Sequence, residues 1–166
     1  MSATATADDL RMARLFRDLP QAALDELAAQ SRLLELRAGE KLFAQDDASD
    51  ALYILQEGQI HVLRQHPTGE EVVLATEVPY YVIGEISALA GERRSGAVAA
   101  VTDSVLVAIN RAAVFDVCNR FPDVAASLIT YLSGRLYRMN LLVREYAIGN
   151  VAARVASALL LSGGQT

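Results

Sequence analysis

Between Leu36 and Ile109 the apolar residues come in short stretches, each cut off by Gly, Pro, Asp or Glu, and this texture restricts the region to many short strands. The stretches are Lys41 to Ala44, Ala51 to Leu55, Gln59 to Arg64, Glu71 to Thr76, Ala97 to Val101 and Val105 to Ile109. Three reversals carry a glycine where the chain must turn: Arg37-Ala38-Gly39-Glu40, Gln56-Glu57-Gly58 and His66-Pro67-Thr68-Gly69-Glu70. Six or more strands with such turns predict a barrel or sandwich.

On either side the period becomes helical. From Leu10 to about Leu34, Leu15, Leu19, Ala23, Leu24, Leu27 and Ala28 recur at helical spacing, and Pro20 divides the run into two short helices. Downstream, Arg111 to Arg120 predicts a helix, and Phe121-Pro122-Asp123 opens a long one reaching about Ala147. Leu128, Leu132, Leu136, Met139, Val143 and Tyr146 form a stripe along it, flanked by Tyr131, Arg135 and Leu142. Roughly 25 residues at ~1.5 Å each make a helix of ~37 Å, longer than a small barrel can cover, so the stripe predicts a parallel two-helix dimer seam. Beyond Ala147-Ile148-Gly149, Asn150 reads as a cap for a short helix, Val151 to Leu161, closed by Gly163-Gly164. Its apolar Val151, Val155, Ala158 and Leu159 have no evident body to pack on.

With 166 residues and 52% apolar content, the chain can build one compact domain and an appendage. Its 15 Lys and Arg against 20 Asp and Glu give a net charge of −5, which argues against DNA or RNA being gripped by these residues. The single cysteine, Cys118, excludes an internal disulfide framework and an intrachain iron-sulfur site, and fits a reducing, cytoplasmic setting. No apolar run reaches membrane-spanning length, and residues 1–9 read as a flexible start without a targeting pattern. Nucleophile motifs, metal-spaced clusters and Walker-type loops are missing, so the chain reads as a binding protein and not as an enzyme.

One segment carries binding chemistry: Gly84-Glu85-Ile86-Ser87-Ala88-Leu89-Ala90-Gly91-Glu92-Arg93-Arg94-Ser95-Gly96. Arg94 offers a permanently charged fork suited to phosphate oxygens, while an ionised Glu85 is repelled by phosphate and usefully accepts from a hydroxyl. Together they point to a sugar phosphate. The small residues Ser95-Gly96-Ala97 let backbone approach a ligand closely, and a helix starting near Glu85 would itself favour an anion.

These pieces, in their order and spacing, resemble the cyclic nucleotide-binding domain of bacterial regulators in the cyclic AMP receptor protein and fumarate-nitrate regulator (CRP/FNR) family. The resemblance rests on residues 37–47, on 51–60, on Gly84-Glu85 with Arg94-Ser95, and on the long helix followed by Asn150 to Ala156. It covers the chain from about Leu15 to Leu161. It implies a mainly β fold with flanking helices, a cupin-like, double-stranded β-helix barrel, and a long C-terminal dimerisation helix. It further implies a division into a flexible start (1–9), the sensor barrel with its helices (10–121), the dimerisation helix (122–148), and a hinge with the first helix of a DNA-binding domain absent from this chain (149–166).

In the site, the resemblance implies that Glu85 accepts the ribose 2′-hydroxyl, that Arg94 pairs with the cyclic phosphate and that Ser95 adds a second phosphate contact. Gly84, Ile86 and Ser87 would line the cassette. The effector would be cyclic AMP or cyclic GMP, the partner a second copy of the chain, and DNA would be contacted only through the absent winged helix-turn-helix. A gapless placement from Pro122-Asp123 puts Met139-Asn140 where the cyclic AMP receptor protein has a base-reading Thr-Ser pair; Asn140 can still bond a base edge.

Two departures from the family pattern fall in turns. Pro79-Tyr80-Tyr81-Val82 stands for Pro-Gly-Asp-Phe, and Gln45-Asp46-Asp47 for Gln-Gly-Asp. Tyr80 and Tyr81 read either as strand residues on the barrel wall or as rings that stack on a base. Two other functions remain open to the scaffold. One is a haem-based gas sensor using His61, His66 or Cys118, and the other is a ligand-free dimerisation module.

Overall fold

The computed structural model describes residues 5–66 and 68–162, with side chains described as far as residue 144. The chain divides into two compact units, the first running through Ser127 and the second starting at Leu128.

The first unit opens with α1 (Ala7–Arg11) and α2 (Gln21–Ala29). Thr6 caps α1 in a reciprocal box: its hydroxyl accepts from the Asp9 amide at 3.2 Å, and the Asp9 carboxylate accepts from the Thr6 amide at 2.8 Å. The start expected to be flexible is therefore ordered from residue 5; residues 1–4 lie outside those described. As the helical spacing predicts, Leu15, Leu19, Ala23, Leu24, Leu27 and Ala28 are all buried.

Eight strands follow: β1 (Ser31–Leu36), β2 (Lys41–Phe43), β3 (Ala51–Glu57), β4 (Ile60–Gln65), β5 (Glu71–Glu77), β6 (Val82–Ile83), β7 (Ala97–Ala100) and β8 (Ser104–Asn110). Six are the expected ones, within one or two residues at their ends. Two are additional. β1 lies partly where helix was expected, because Leu33 and Leu34 continue the apolar count of α2 although the helix has already ended at Ala29. β6 is two residues long, too short to show an alternating pattern.

The strands form two antiparallel sheets, ordered β1-β8-β3-β6 and β2-β7-β4-β5. Leu36, Leu55, Ile60, Ile83, Val98, Ala100 and Leu106, drawn from both sheets, make one buried cluster. Phe43, Tyr53 and Tyr81 pack against it. Gly39, Gly58 and Gly69, the glycines placed in reversals by the sequence, all have positive φ.

Between β6 and β7 lies α3 (Glu85–Ala90), and after β8 comes α4 (Arg111–Arg120) with the predicted bounds. α5 (Pro122–Ser162) begins with proline at its first position, where a missing amide hydrogen costs nothing. Its backbone stays helical through residues 147–150, where a hinge and a new cap were expected. A lone Gly149 costs a helix about 1 kcal/mol relative to Ala and does not end it. The expected closure at Gly163-Gly164 lies outside the described residues.

Along α5, Leu136, Met139 and Val143 are exposed. Leu128 is not: it is 7% exposed, whereas its neighbour Ile129 is 65% exposed. Ile129, Leu132, Leu136, Met139 and Val143 are spaced three and four residues apart, so the free stripe starts at Ile129, one position later than the sequence reading placed it. The side chain of Tyr146 lies outside those described.

Candidate functional site

Gly84 ends the β6 segment and caps α3 in the left-handed conformation, with φ 71°. This reverses the chain so that Glu85 starts the helix facing inward, 2% exposed. A Cβ on Gly84 would collide with Arg94 Nη1 and come within 3.5 Å of the Phe43 ring. Glycine is therefore required twice, by the backbone angle and by the space the arginine takes.

Arg94 is 2% exposed and among the largest fully buried side chains. Its Nη1 donates to the Gly84 carbonyl at 3.0 Å and to Ser87 Oγ at 3.4 Å, and its Nη2 donates to the Ala51 carbonyl at 2.6 Å. The guanidinium carbon lies 4.2 Å from the Phe43 ring centroid and 5.5 Å from that of Tyr53. Burial pulls its pKa below the ordinary arginine value, with Tyr53, Asp50 and Asp47 opposing the shift. Arg94 Nε is buried and has no hydrogen-bond partner.

The backbone around Arg94 is tied down as well. Its amide donates to the Asp47 carbonyl and its carbonyl accepts from the Asp46 amide, both at 2.9 Å. Ser87 Oγ donates to the Gly84 carbonyl at 3.3 Å and accepts from Ser49 Oγ at 3.1 Å. The structure thus joins Gly84, Ser87 and Arg94 in one bonded cluster with Glu85 buried at the helix start. Ile86, 51% exposed, and Ser95, also exposed, lie at its rim. Asn140 and Met139 belong to the second unit, exposed on α5.

α3 starts at Glu85, where the sequence places a helix start, and is six residues long. Sequence reasoning missed Ser49, the Ala51 carbonyl, Phe43 and Tyr53. The two rings stand on strands of different sheets, and only their packing on the shared core shows that they meet.

The family's turn glycines are replaced by the two non-glycine residues with positive φ among those described, Asp46 at 67° and Tyr80 at 71°. The backbone therefore keeps the glycine-type turn in both places. Aspartate tolerates this region, and tyrosine is strained in it. Tyr80 is thus a turn residue, 42% exposed, and not the strand residue expected; Tyr81 packs on the core cluster.

The candidate haem ligands are dispersed. His61 sits on β4, His66 is exposed and bonded through Nδ1 to Thr68, and Cys118 is half-buried on α4, where burial raises its pKa. Among the described residues, no three His, Cys, Asp or Glu side chains gather to hold a metal ion. No described helix is long and apolar enough to cross a membrane. An open cleft of ≈ 780 Å³, lined by Ser49, Asp50, Gly91, Arg111 and Phe115 among others, adjoins the end of α3 but contains neither Glu85 nor Arg94.

Comparison with known proteins agrees with this architecture. Residues 33–121 match the family model of the cyclic nucleotide-binding domain. The cyclic AMP receptor protein of Thermus thermophilus is 34% identical over 122 residues, which are 74% of this chain and 56% of that protein. A CRP-like cAMP-activated global transcriptional regulator of Mycobacterium tuberculosis is 27% identical over 151 residues, 91% of this chain and 67% of its own. Among solved structures, the N-terminal domain of a transcriptional regulator from Streptomyces coelicolor superposes with a TM-score of 0.70 at 32% identity, covering 80% of this chain and 95% of that one. The chain spans little more than half the length of the Thermus relative.

Proposed function

The chain belongs to the cyclic nucleotide-binding domain family, with relatives among CRP-type regulators, and we propose that it is the sensing and dimerising portion of such a transcriptional regulator. Its effector is cyclic AMP or cyclic GMP, bound in the barrel. Arg94 takes the cyclic phosphate, Glu85 the ribose 2′-hydroxyl, and Gly84, Ile86, Ser87 and Ser95 line the cassette.

The observation that carries this reading is the state of Arg94. A guanidinium 2% exposed and held by carbonyl oxygens, a hydroxyl and aromatic rings retains its charge, and its Nε donor is unused. A phosphate oxygen satisfies that donor and offsets the desolvation. Glu85, buried beside the same glycine, supplies an acceptor for a neighbouring hydroxyl.

Two chains associate through the exposed stripe from Ile129 to Val143, and ligand binding biases their arrangement and thereby DNA binding by a winged helix-turn-helix outside this chain. Calorimetric titration with cyclic AMP and cyclic GMP tests the assignment. The intact chain should bind at least one of them, Arg94→Ala should lose about a hundredfold in affinity, and Glu85→Gln should selectively reduce the preference for ribose over 2′-deoxyribose. Equal binding by the intact chain and Arg94→Ala sinks the phosphate assignment.

A further inference from the structure

We propose that Phe43 and Tyr53 are positioning residues for ligand recognition: the two adjacent rings clamp the Arg94 guanidinium against the Gly84 and Ala51 carbonyls, leaving its Nε donor for an anion. The part concerning the ligand rests on the cyclic nucleotide reading above, whereas the clamp itself does not. A guanidinium has five N–H bonds in one plane. Three are directed to the Gly84 carbonyl, Ser87 Oγ and the Ala51 carbonyl. Among the remaining donors, Nε is buried without a partner.

The aromatic contacts explain how a charge can be buried this way without being neutralised. The Phe43 and Tyr53 ring centroids are 5.9 Å apart with planes inclined by 32°, and the guanidinium carbon lies 4.2 Å from the first and 5.5 Å from the second. A ring face stabilises a cation without accepting an in-plane hydrogen bond, so the Phe43 contact uses none of the guanidinium donors. A carboxylate in the same place would cancel the charge and occupy the edge.

Phe43 comes from β2 in one sheet, and Tyr53 and the Ala51 carbonyl come from β3 in the other. Arg94 is therefore held from both sheets and from α3 at once. A cyclic phosphodiester carries one negative charge, and one of its exocyclic oxygens can accept from the Nε donor. The clamp preorganises that donor, and a loosened arginine would lose the preorganisation.

The test uses the whole chain in two measurements. In the first, nitrogen-15 NMR follows the Arg94 Nε–H. The intact chain should show a resonance displaced by the Phe43 ring and slow to exchange with water. Phe43→Leu should remove the displacement and speed exchange about tenfold, and Phe43→Tyr should restore both. In the second, calorimetry with cyclic AMP and cyclic GMP should show Phe43→Leu binding about tenfold more weakly and Phe43→Tyr within about twofold of the intact chain. Tyr53→Leu, whose ring is farther away, should show a smaller change of the same kind and replaces Phe43→Leu if that variant does not fold.

An Nε–H resonance unaffected by loss of the ring overturns the clamp, and so does undiminished binding by a folded Phe43→Leu. If the intact chain binds neither nucleotide, the cyclic nucleotide reading falls, and the NMR measurement still decides the clamp.

Discussion

In the barrel, Leu55, Ile60 and Leu106 have no exposed surface, whereas on α5 Ile129, Leu136 and Val143 keep 60% or more of theirs. The two regions have similar apolar residues and opposite outcomes. Strands of one sheet face strands of the other, so the core side chains find cover within the chain, while Val72, Val73 and Leu74 on β5 stay exposed. A helix has apolar positions that one neighbour cannot all cover, and a three-and-four stripe left free is the signature of a second helix. The barrel core therefore reads as self-sufficient, and the exposed stripe of α5 is the surface on which the proposed second chain would pack.

The sharpest way to break this comparison is Leu136→Glu. A charge in the middle of the stripe should weaken self-association about a thousandfold or more, seen as a shift to monomer in sedimentation. A chain that sediments identically with and without the substitution would remove the interface reading. Next in size is Leu106→Ala in the barrel, which should lower unfolding free energy by about 3 kcal/mol in denaturant titrations. That loss should not vary with protein concentration. If it does, the barrel is not self-sufficient.

Gly84→Ala probes the barrel where its fold and its site share one residue. The left-handed angle and the collision with Arg94 Nη1 together should cost about 2 kcal/mol of stability, and displacement of the guanidinium should weaken ligand binding in the same variant. A loss of stability with unchanged affinity would separate the turn from the site. The smallest effect runs the other way. Tyr80→Gly should raise stability by about 1 kcal/mol, because the backbone there already has the glycine conformation. A loss instead would show that the exposed ring contributes more than the strained turn costs.

Legibility in the sequence followed the range of the interaction. Strands β2, β3, β4, β5, β7 and β8, their turn glycines and α4 were readable because alternation and turn chemistry are local. β6 was not, since two residues carry no pattern, and β1 was obscured by Leu33 and Leu34 continuing the helical count. The absence of a break at 147–150 was missed because a single glycine resembles a stop signal in sequence and costs little inside a helix. The residues of the cassette could be named from their chemistry, yet the partners of Arg94 could not. Ala51, Phe43 and Tyr53 lie about forty to fifty positions away and reach it only through strand pairing.

The sequence by itself determined six of the eight strands and α4, the apolar stripe of α5, and the residue types at 84–95 from which a sugar phosphate site is proposed. Those are properties of residue type and spacing, set by backbone geometry and side-chain chemistry. Only the tertiary structure decided which donor of Arg94 is left without a partner, because a guanidinium's unused donors are defined by what β3 and the start of α3 place against its Nη ends. It also decided that the stripe starts at Ile129 and not Leu128, since periodicity marks a helical face and burial alone tells which residues of that face remain exposed.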